Sequence, residues 1–391
     1  MAAVWLQSAF WIGLALLASL ISIRLTISVA LIEIVVGAVA GNLVGLHITD
    51  WVNFLAGFGA ILLTFLAGAE IDPRIVKKHF WSSMSIGVVG FVAPYLGVLI
   101  YAHFAIGWPW PQAQIAGISL STTSVAVVYA VMIETGFNKS EIGKIILAAC
   151  FINDLGTVLA LGIVFAHFDA WMLLFGVATA IVLVLLVRYA PWMFRSLGNR
   201  VSEPQTKFVS LILLALGGLA SVAGSEAVLP AYLVGMALAP TFLAERELPH
   251  RMRIIAFSIL APFYFLKAGS LVEAHAVAAS LGLIAVFLAI KMITKFLGIL
   301  PLTVYHEFDR REGVYTTLLM STGLTFGSIS ALFGLTNKII DQTQYTILVT
   351  AVIGSAVVPT LIAQTWFQPD LRAIANEPET LEAEESAGEE P

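Results

Sequence analysis

Charged residues are scarce in this sequence: Asp, Glu, Lys and Arg make up 12% of the 391 residues, whereas hydrophobic residues make up 59%. Soluble domains are about 45–50% apolar and about 25% charged. Apolar stretches of about 20 residues recur along nearly the whole chain, and each matches the length of helix that spans about 30 Å of hydrocarbon. The composition therefore predicts an all-α integral membrane protein with many crossings and no soluble domain.

Cysteine and the common catalytic motifs are also lacking. The single cysteine, Cys150, lies inside an apolar stretch, so no disulfide forms within one chain. The histidines have no metal-ligand spacing, and the sequence contains no phosphate-binding loop, nucleophile elbow or cysteine cluster. These absences argue against an ATP-driven pump and against a hydrolase. We therefore expect no enzymatic activity, no cofactor and no nucleic-acid partner.

Negative charge is concentrated at the end of the chain. The formal net charge is −5, and the last fifteen residues, "EPETLEAEESAGEEP", hold seven glutamates and no basic residue. Low hydrophobicity combined with charge of one sign is typical of a disordered, solvated segment. We assign residues 1–369 to a membrane domain and 370–391 to an acidic disordered tail.

Hydropathy, turn residues and charges predict thirteen membrane helices. Their ranges are 4–22, 27–46, 51–70, 80–105, 112–133, 141–166, 170–189, 206–223, 228–241, 250–268, 276–304, 312–334 and 343–365. The loops after the odd-numbered helices, with the C-terminal flank, hold sixteen of the twenty basic residues. Cytoplasmic loops are enriched in Lys and Arg, so this bias places the N-terminus outside and the C-terminus in the cytoplasm.

The helix count predicts an internal repeat. With helix 7 as a linker, helices 1–6 and 8–13 form two six-helix units of opposite orientation. The fifth helix of each unit contains glycine and hydroxyl residues at mid-membrane depth, in "GISLSTTSVAVV" (117–128) and "STGLTFGSIS" (321–330). Paired interruptions at corresponding positions indicate the binding site of a transporter. Hydroxyl residues that bond only to their own helix are the alternative interpretation.

An acidic residue lies inside one of the apolar stretches. In "CFINDLGTVLALGIVF" (150–165), Asn153 and Asp154 are adjacent and well within predicted helix 6. An ionisable residue at mid-membrane costs about 2.5–3.5 kcal/mol on insertion scales, so it needs a partner, a wet cavity or a function. A buried ion pair or a permanently protonated acid is the structural alternative. We favour a site role for Asp154 and, beside it, for Asn153.

Several other charges fall within or beside predicted spans. Lys291 and Lys295 are four residues apart in helix 11 and share one face, so the partner of Asp154 is expected among them. Glu33 and Lys267 are further charges within predicted spans that are structural in one interpretation and functional in the other, and Glu70 adjoins a helix end, where we expect an interfacial, structural position. The series Gly37, Gly41 and Gly45 predicts a close helix contact rather than a ligand site; all these residues are read from the sequence.

Five segments together resemble the monovalent cation:proton antiporter-2 family. They are "IEIVVGAVAGN" (32–42), "FLAGAEIDPRIVKK" (65–78), "LSTTSVAVV" (120–128), "FINDLGTVLAL" (151–161) and "KFLG" (295–298). The resemblance implies the sodium/proton antiporter fold with crossed discontinuous helices, and a homodimer whose core moves like an elevator. It places the essential carboxylate on Asp154, the ion-site threonine on Thr123 and the buried lysine on Lys295.

Two departures from the family's pattern bear on mechanism. Members that move unequal charge carry Asp-Asp where this chain has Asn153-Asp154, and the Asn-Asp form resembles electroneutral exchangers. In helix 12, "TGLT" (322–325), with Thr322, Gly323 and Thr325, stands where many relatives have Arg-Gly-Glu. The charge balance at that interruption therefore differs from theirs.

The sequence predicts exchange of a monovalent cation for a proton. Hydroxyls of Thr122, Thr123 and Ser124, the Asn153 amide and freed carbonyls are hard oxygen ligands suited to Na⁺ or K⁺ at Asp154. Na⁺ or Li⁺ exchange is the leading interpretation, with a role in pH homeostasis, and K⁺/H⁺ exchange is the first alternative. A cation-coupled solute symporter or an uncoupled channel of the same fold is the alternative from another class.

Overall fold

The computed structural model describes most of the chain, and the elements of secondary structure in the described residues are helices. The described residues are 2–25, 29–46, 48–69, 77–125, 127–128, 131–132, 137, 140–165, 170–197, 200–223, 227–244 and 247–369. Glu70 and the acidic segment 370–391, both assigned above from the sequence, lie outside these ranges.

The helices follow the predicted order. They are α1 (Ala2–Leu25), α2 (Val29–Val44), α3 (Asp50–Ala69), α4 (Phe80–Ala105), α5 (Trp110–Ser121), α6 (Glu141–Val164), α7 (Ala170–Leu197), α8 (Pro204–Val222), α9 (Val228–Ala244), α10 (Leu248–Ser270), α11 (Leu281–Tyr305), α12 (Arg310–Thr336) and α13 (Gln342–Trp366). A short helix, Ala274–Ala279, precedes α11.

Ten helices among the described residues are long and apolar enough to cross a bilayer, and α2 and Val228–Phe242 are shorter apolar helices. This establishes a multi-pass membrane protein, while the number thirteen stays a prediction. Some helix ends differ from the prediction, and the end of the seventh helix is one of them. This helix was predicted to end at 189, but α7 continues to Leu197, so Arg195 lies on the helix together with Arg188 and not in the following loop. The two arginines mark the turns of α7 that leave the apolar stretch.

Side-chain caps fix several helix starts. Ser140 accepts a hydrogen bond from the Gly143 amide (3.0 Å) at the start of α6. At the start of α13, Asp341 accepts from the Gln344 amide at 2.8 Å, and the Gln344 side chain accepts from the Asp341 amide at 3.0 Å. Such reciprocal capping satisfies amides that have no partner in the first turn of a helix. These polar caps mark where the apolar spans begin.

The helices form two bundles. Helices α4, α5, α6, α11, α12 and α13 pack on one another, and we call them the crossing bundle. Helices α1, α2, α3, α8, α9 and α10 form the second group, the flanking bundle, with α7 against α8 and α9. Each bundle takes three helices from each predicted repeat, as interlocked inverted repeats require.

Glycines bring the helices of the flanking bundle into backbone contact. A Cβ at Gly37 of α2 would collide with the Leu266 backbone of α10, and one at Gly269 would collide with the Ile34 backbone. The pair α3 and α9 packs in the same way through Gly68 and Gly235. Counting α8–α13 as the second copy of α1–α6, the two contacts are equivalent. The small-residue contact predicted for α2 is therefore present at Gly37.

Of the other two glycines in the series, Gly41 extends this contact and Gly45 does not. Gly41 lies against Ser270, whose backbone oxygen would be 2.5 Å from an added Cβ. Gly45 follows the end of α2, has a φ of +68°, and would meet nothing within 4 Å. Its role is conformational rather than one of packing, since positive φ favours glycine.

Candidate ion-binding site

The interruptions of α5 and α12 meet inside the crossing bundle. The helical structure of α5 stops at Ser121 and resumes at residue 125, and α12 is interrupted between Met320 and Thr325. The two interrupted segments, 122–124 and 321–324, bond to each other: the Ser124 amide donates to the Thr322 carbonyl at 3.0 Å. We call this place the crossing. Backbone groups that leave a helix at this depth need partners inside the protein, and here each interruption supplies them for the other.

Side chains reinforce the crossing. The Thr123 hydroxyl donates to the Met320 carbonyl at 2.8 Å. On α6, the Asn153 Oδ1 accepts from the Thr123 amide at 2.9 Å, and its Nδ2 donates to the Ser121 carbonyl at 3.4 Å. Asn153 therefore uses both halves of its amide to hold the interrupted backbone of α5.

Asp154 lies next to this contact and is buried, with 1% of its surface exposed. Its Oδ1 atom has no hydrogen-bond partner in the described part of the chain. An unpartnered, desolvated carboxylate oxygen is unstable as an anion unless a proton or a cation neutralises it. This oxygen is the feature of the crossing best suited to take up either one.

The two buried lysines of α11 have different environments. Lys295 donates to the Thr123 hydroxyl at 3.0 Å and is the lysine in electrostatic range of Asp154, although no nitrogen–oxygen pair between these two described side chains comes within 4.0 Å. Lys291 instead donates to the Thr122 carbonyl at 3.1 Å and to the Ser355 hydroxyl at 2.9 Å. Lys295 therefore faces the carboxylate, and Lys291 faces the interrupted helices.

The position of Lys291 has an electrostatic reason. The carbonyl it binds follows the last turn of the first half of α5, where the helix dipole places partial negative charge. A Cβ at Gly323 in α12 would collide with the Lys291 ammonium, so this lysine also touches the second interruption. Lys291 thus binds a carbonyl at the crossing, and no acidic side chain of the described residues lies within 4.0 Å of it, which fits the uncharged residues at 322–325 in place of Arg-Gly-Glu.

The remaining predicted site residues surround the crossing. The Thr122 hydroxyl donates to Ser119 O (3.2 Å), that of Thr322 to Leu319 O (2.8 Å), and the Ser124 oxygen accepts from the Val127 amide (3.4 Å); Gly323 O accepts from Ser355, and Thr325 begins the second half of α12. All are buried except Thr325, which is half-buried.

Two of the charged residues predicted in spans lie in the other bundle. Glu33 is buried on α2, and Lys267 is half-buried on α10. Neither helix belongs to the crossing bundle. The structural interpretation of Glu33 keeps its place, whereas Lys267 lines a cavity that is described below.

Two residues of this region were missed in the sequence. Ser355 on α13 accepts from Lys291 and donates to the Val352 carbonyl at 2.8 Å. Tyr232 on α9 is fully buried, donates to the Phe151 carbonyl at 3.0 Å, and lies in electrostatic range of Asp154. A tyrosine inside an apolar span is a usable signal, since a buried Tyr hydroxyl needs a partner.

These features define a class of protein. A membrane bundle with two interrupted helices that meet at mid-depth, one from each inverted repeat, beside a buried carboxylate is the architecture of a secondary transporter. The chain belongs to the family of sodium/hydrogen exchanger transmembrane domains, whose family model matches residues 12–368. This confirms the resemblance to monovalent cation:proton antiporters that the sequence motifs indicated.

Similar proteins agree with this assignment. A Na⁺/H⁺ antiporter of Enterococcus hirae is 24% identical over 356 residues, which cover 88% of this chain and 92% of the relative. The Na⁺/H⁺-K⁺ antiporter GerN of Bacillus cereus is 23% identical over 365 residues, covering 90% and 94%. The solved structure of the sodium proton antiporter MjNhaP1 from Methanocaldococcus jannaschii at pH 8 matches with a TM-score of 0.64 at 14% identity, over 92% of this chain and 96% of that one. The fold is therefore that of a sodium/proton antiporter.

Proposed function

We propose that the chain exchanges Na⁺ or Li⁺ for H⁺, one for one, at Asp154. Membership of an exchanger family favours antiport over the symporter and channel alternatives. The observation that carries the proposal is the buried Asp154 oxygen beside the crossing, which has no hydrogen-bond partner among the residues that the structure describes. A proton and a small cation are the two species that can neutralise it.

Lys295 makes the two occupants compete. Its ammonium donates to the Thr123 hydroxyl, one of the oxygens proposed as a cation ligand. A cation that approaches Asp154 and Thr123 repels this ammonium and takes over its acceptor. When the cation leaves, Lys295 returns and Asp154 takes up a proton. The charge of Asp154 is then neutralised in both loaded states, and the site carries the same net charge, that of the Lys295 ammonium, whichever ion it holds.

Asn153 sets the stoichiometry in this proposal. It holds the interrupted α5 through hydrogen bonds, and its amide group does not titrate at physiological pH. With one titrating carboxylate, each cycle moves one cation one way and one proton the other, so no net charge crosses. The membrane potential, about 2.3 kcal/mol per elementary charge per 100 mV, then does not drive transport.

We expect Na⁺ and Li⁺ gradients to drive proton movement in proteoliposomes at a rate that does not change with imposed potential. The measurement uses an internal pH dye and a potential set by a K⁺ gradient with valinomycin. The initial rate should vary by less than about 1.5-fold over 100 mV, whereas transfer of one net charge allows up to about 50-fold. A steep dependence on potential would reject the one-for-one stoichiometry.

The gain-of-charge variant Asn153→Asp is the matched comparison. An aspartate at this position can still accept from the Thr123 amide, but when ionised it cannot donate to the Ser121 carbonyl. We expect the second carboxylate to make exchange sensitive to potential. A voltage-insensitive Asn153→Asp variant that still exchanges would show that residue 153 does not set the stoichiometry.

K⁺/H⁺ exchange is the second candidate, because the name of one similar protein, GerN, includes K⁺. The oxygen ligands at the crossing suit both ions. A panel of Li⁺, Na⁺, K⁺ and Rb⁺ in the same vesicles separates the two candidates. For K⁺ and Rb⁺ the membrane potential is clamped without a protonophore.

The two bundles are proposed to move relative to each other, like an elevator, within a homodimer. Three buried tyrosines support a separable boundary between them: Tyr232 of α9 bonds to Phe151 O of α6, Tyr264 of α10 to Ser328 Oγ of α12 (3.4 Å), and Tyr345 of α13 to Ala268 O of α10 (2.7 Å). Each bond joins the flanking bundle to the crossing bundle, and each must break when the bundles slide.

Removal of these hydroxyls is expected to change the rate of exchange without changing the fold. One neutral hydrogen bond contributes about 1 kcal/mol net, so Tyr232→Phe or Tyr264→Phe should shift the equilibrium between bundle positions about fivefold. The change is measured as kcat in vesicles, with Tyr305→Phe as the control because Tyr305 is 79% exposed. An unchanged kcat in both variants would mean that these bonds persist through the cycle.

The remaining assignments complete the proposal. Residues 1–369 form the transport domain, with α1–α6 and α8–α13 as inverted repeats and α7 as the linker, and 370–391 is a cytoplasmic tail. The N-terminus lies outside a bacterial or archaeal cell membrane, because the basic residues cluster at the opposite helix ends. Lipid and a second copy of the chain are the expected partners, and pH homeostasis is the expected role.

A further inference from the structure

A cavity of about 590 Å³ lies between the two bundles. Its walls come from α3, α8, α9 and α10 of the flanking bundle and from the second half of α12 in the crossing bundle. In the proposed orientation all these helix segments lie toward the outer side, since α3 and α9 begin there and α8, α10 and α12 end there. The cavity therefore occupies the outer part of the boundary that must open during transport.

The floor of this cavity points toward Asp154. Tyr264 lines the cavity and bonds to Ser328 of α12. Val228 also lines it, and one turn further along α9 lies Tyr232, whose hydroxyl bonds to the Phe151 carbonyl three residues before Asp154. The tyrosines thus separate the cavity from the carboxylate, and a route that opens past them leads from one to the other.

One residue gives the cavity a charge. Among the described residues that line it, Lys267 is the only one with a formal charge, and the others are apolar or neutral, such as Asn53, Ser221 and Thr336. No acidic group of the described chain lies within 4.0 Å of its ammonium. A half-buried ammonium at this depth needs water or a counter-ion, since an isolated charge in hydrocarbon is costly.

We propose that this cavity is the outer entrance to the exchange site and that Lys267 makes it an anion-attracting site, which takes a small monovalent anion such as chloride and repels the entering cation. The inference rests on the proposed exchange at Asp154 for its effect on transport, but not for the charge of the cavity. At low salt, a unit charge some 6–8 Å away changes the local concentration of a monovalent ion about threefold to tenfold.

Charge-selective thiol labelling tests the cavity directly. Cys150 is the single cysteine, so a Cys150→Ala background accepts new cysteines one at a time. Gly57 on α3 and Gly218 on α8 line the cavity from two sides, and a Cβ at either position would meet nothing within 4 Å. Gly282 of α11 has the same open space, lies toward the outer side and does not line the cavity, so Gly282→Cys is the control.

Membrane-impermeant anionic and cationic methanethiosulfonates are added from outside at low salt. We expect the ratio of anionic to cationic labelling rates at Gly57→Cys and Gly218→Cys to fall about tenfold or more when Lys267→Gln is added, because the charge acts on the two reagents in opposite directions, and to fall further with Lys267→Glu. The ratio at Gly282→Cys should not change, and 0.5 M salt should reduce the difference. The proposal would be overturned if the labelling ratio did not change with substitution of Lys267. It would also be overturned if external reagents labelled neither Gly57→Cys nor Gly218→Cys.

Transport supplies the second readout. With chloride as the anion, Lys267→Gln should lower the KM for external Na⁺ about threefold and should affect kcat less. If the KM stayed the same while the labelling ratio fell, the cavity would still attract anions. It would not, however, be the entrance through which the cation reaches Asp154. Labelling in an Asp154→Asn background separates the two proposals, since the charge of the cavity does not depend on exchange.

Discussion

Replacement of Asp154 by asparagine is expected to abolish cation/proton exchange, with a loss of at least about 100-fold in initial rate. Asparagine has nearly the same shape, but its amide neither releases a proton in the physiological range nor neutralises a cation. The Asp154 Oδ1 atom has no hydrogen-bond partner in the described chain, so the substitution breaks no bond that the atom makes to the protein. Exchange should therefore be lost while the folded protein remains.

The measurement is Na⁺-driven proton movement in proteoliposomes, read with the pH dye, together with gel filtration and thermal unfolding in detergent. Asp50→Asn is the matched control, because Asp50 is an exposed acid at the first residue of α3. Retained exchange in Asp154→Asn would move the site elsewhere. A variant that fails to fold while Asp50→Asn folds normally would instead identify Asp154 as a structural charge.

Leucine in place of Gly235 or Gly269 is expected to prevent normal folding. A Cβ at Gly235 would collide with the Phe65 backbone of α3, and one at Gly269 with the Ile34 backbone of α2. Backbone contacts do not yield by a change of rotamer, so whole helices must separate. Overpacking costs about 1–3 kcal/mol where side chains can move, and more is expected where a helix must shift.

Thermal unfolding followed by fluorescence-detected gel filtration measures this effect. Gly176→Leu on α7 is the control, because a Cβ there would meet nothing within 4 Å. We expect Gly235→Leu and Gly269→Leu to be aggregated or to unfold at least about 10 °C lower than the control, given the scale on which 1 kcal/mol shifts Tm by a few degrees. Midpoints equal to that of Gly176→Leu would mean that α2 and α10 do not approach as closely as described.

Much of the fold followed from local patterns in the sequence. The apolar lengths gave the order of the helices, and the hydroxyl and glycine residues of 117–128 and 321–330 marked where α5 and α12 are interrupted. The end of α7 was missed because Arg188 and Arg195 stand where a helix leaves the hydrocarbon, and a helix can continue past that point into water. Hydropathy indicates which residues lie in the hydrocarbon, and it does not indicate where the helical hydrogen bonding of the backbone ends.

The contacts of the candidate site were harder to predict from the sequence than the order of the helices. That Lys291 and Lys295 share a face followed from their spacing, but which of them faces Asp154 depends on how α11 is rotated against α5 and α6. Ser355 resembles an ordinary residue of an apolar span until a neighbouring helix brings Lys291 beside it, and the sequence signal of Tyr232 does not identify Phe151 as its partner. Such contacts come from tertiary packing, which no single segment specifies.

The hydrogen bond from the Ser124 amide to the Thr322 carbonyl unites peptides that lie almost two hundred positions apart along the chain. Because this link is made by main-chain atoms, it does not depend on the Ser124 or Thr322 side chain, and it joins the two interrupted helices at one point. In the proposed exchange cycle this joint moves as one body, and a bound ion reaches either face of the membrane when the flanking bundle slides past it.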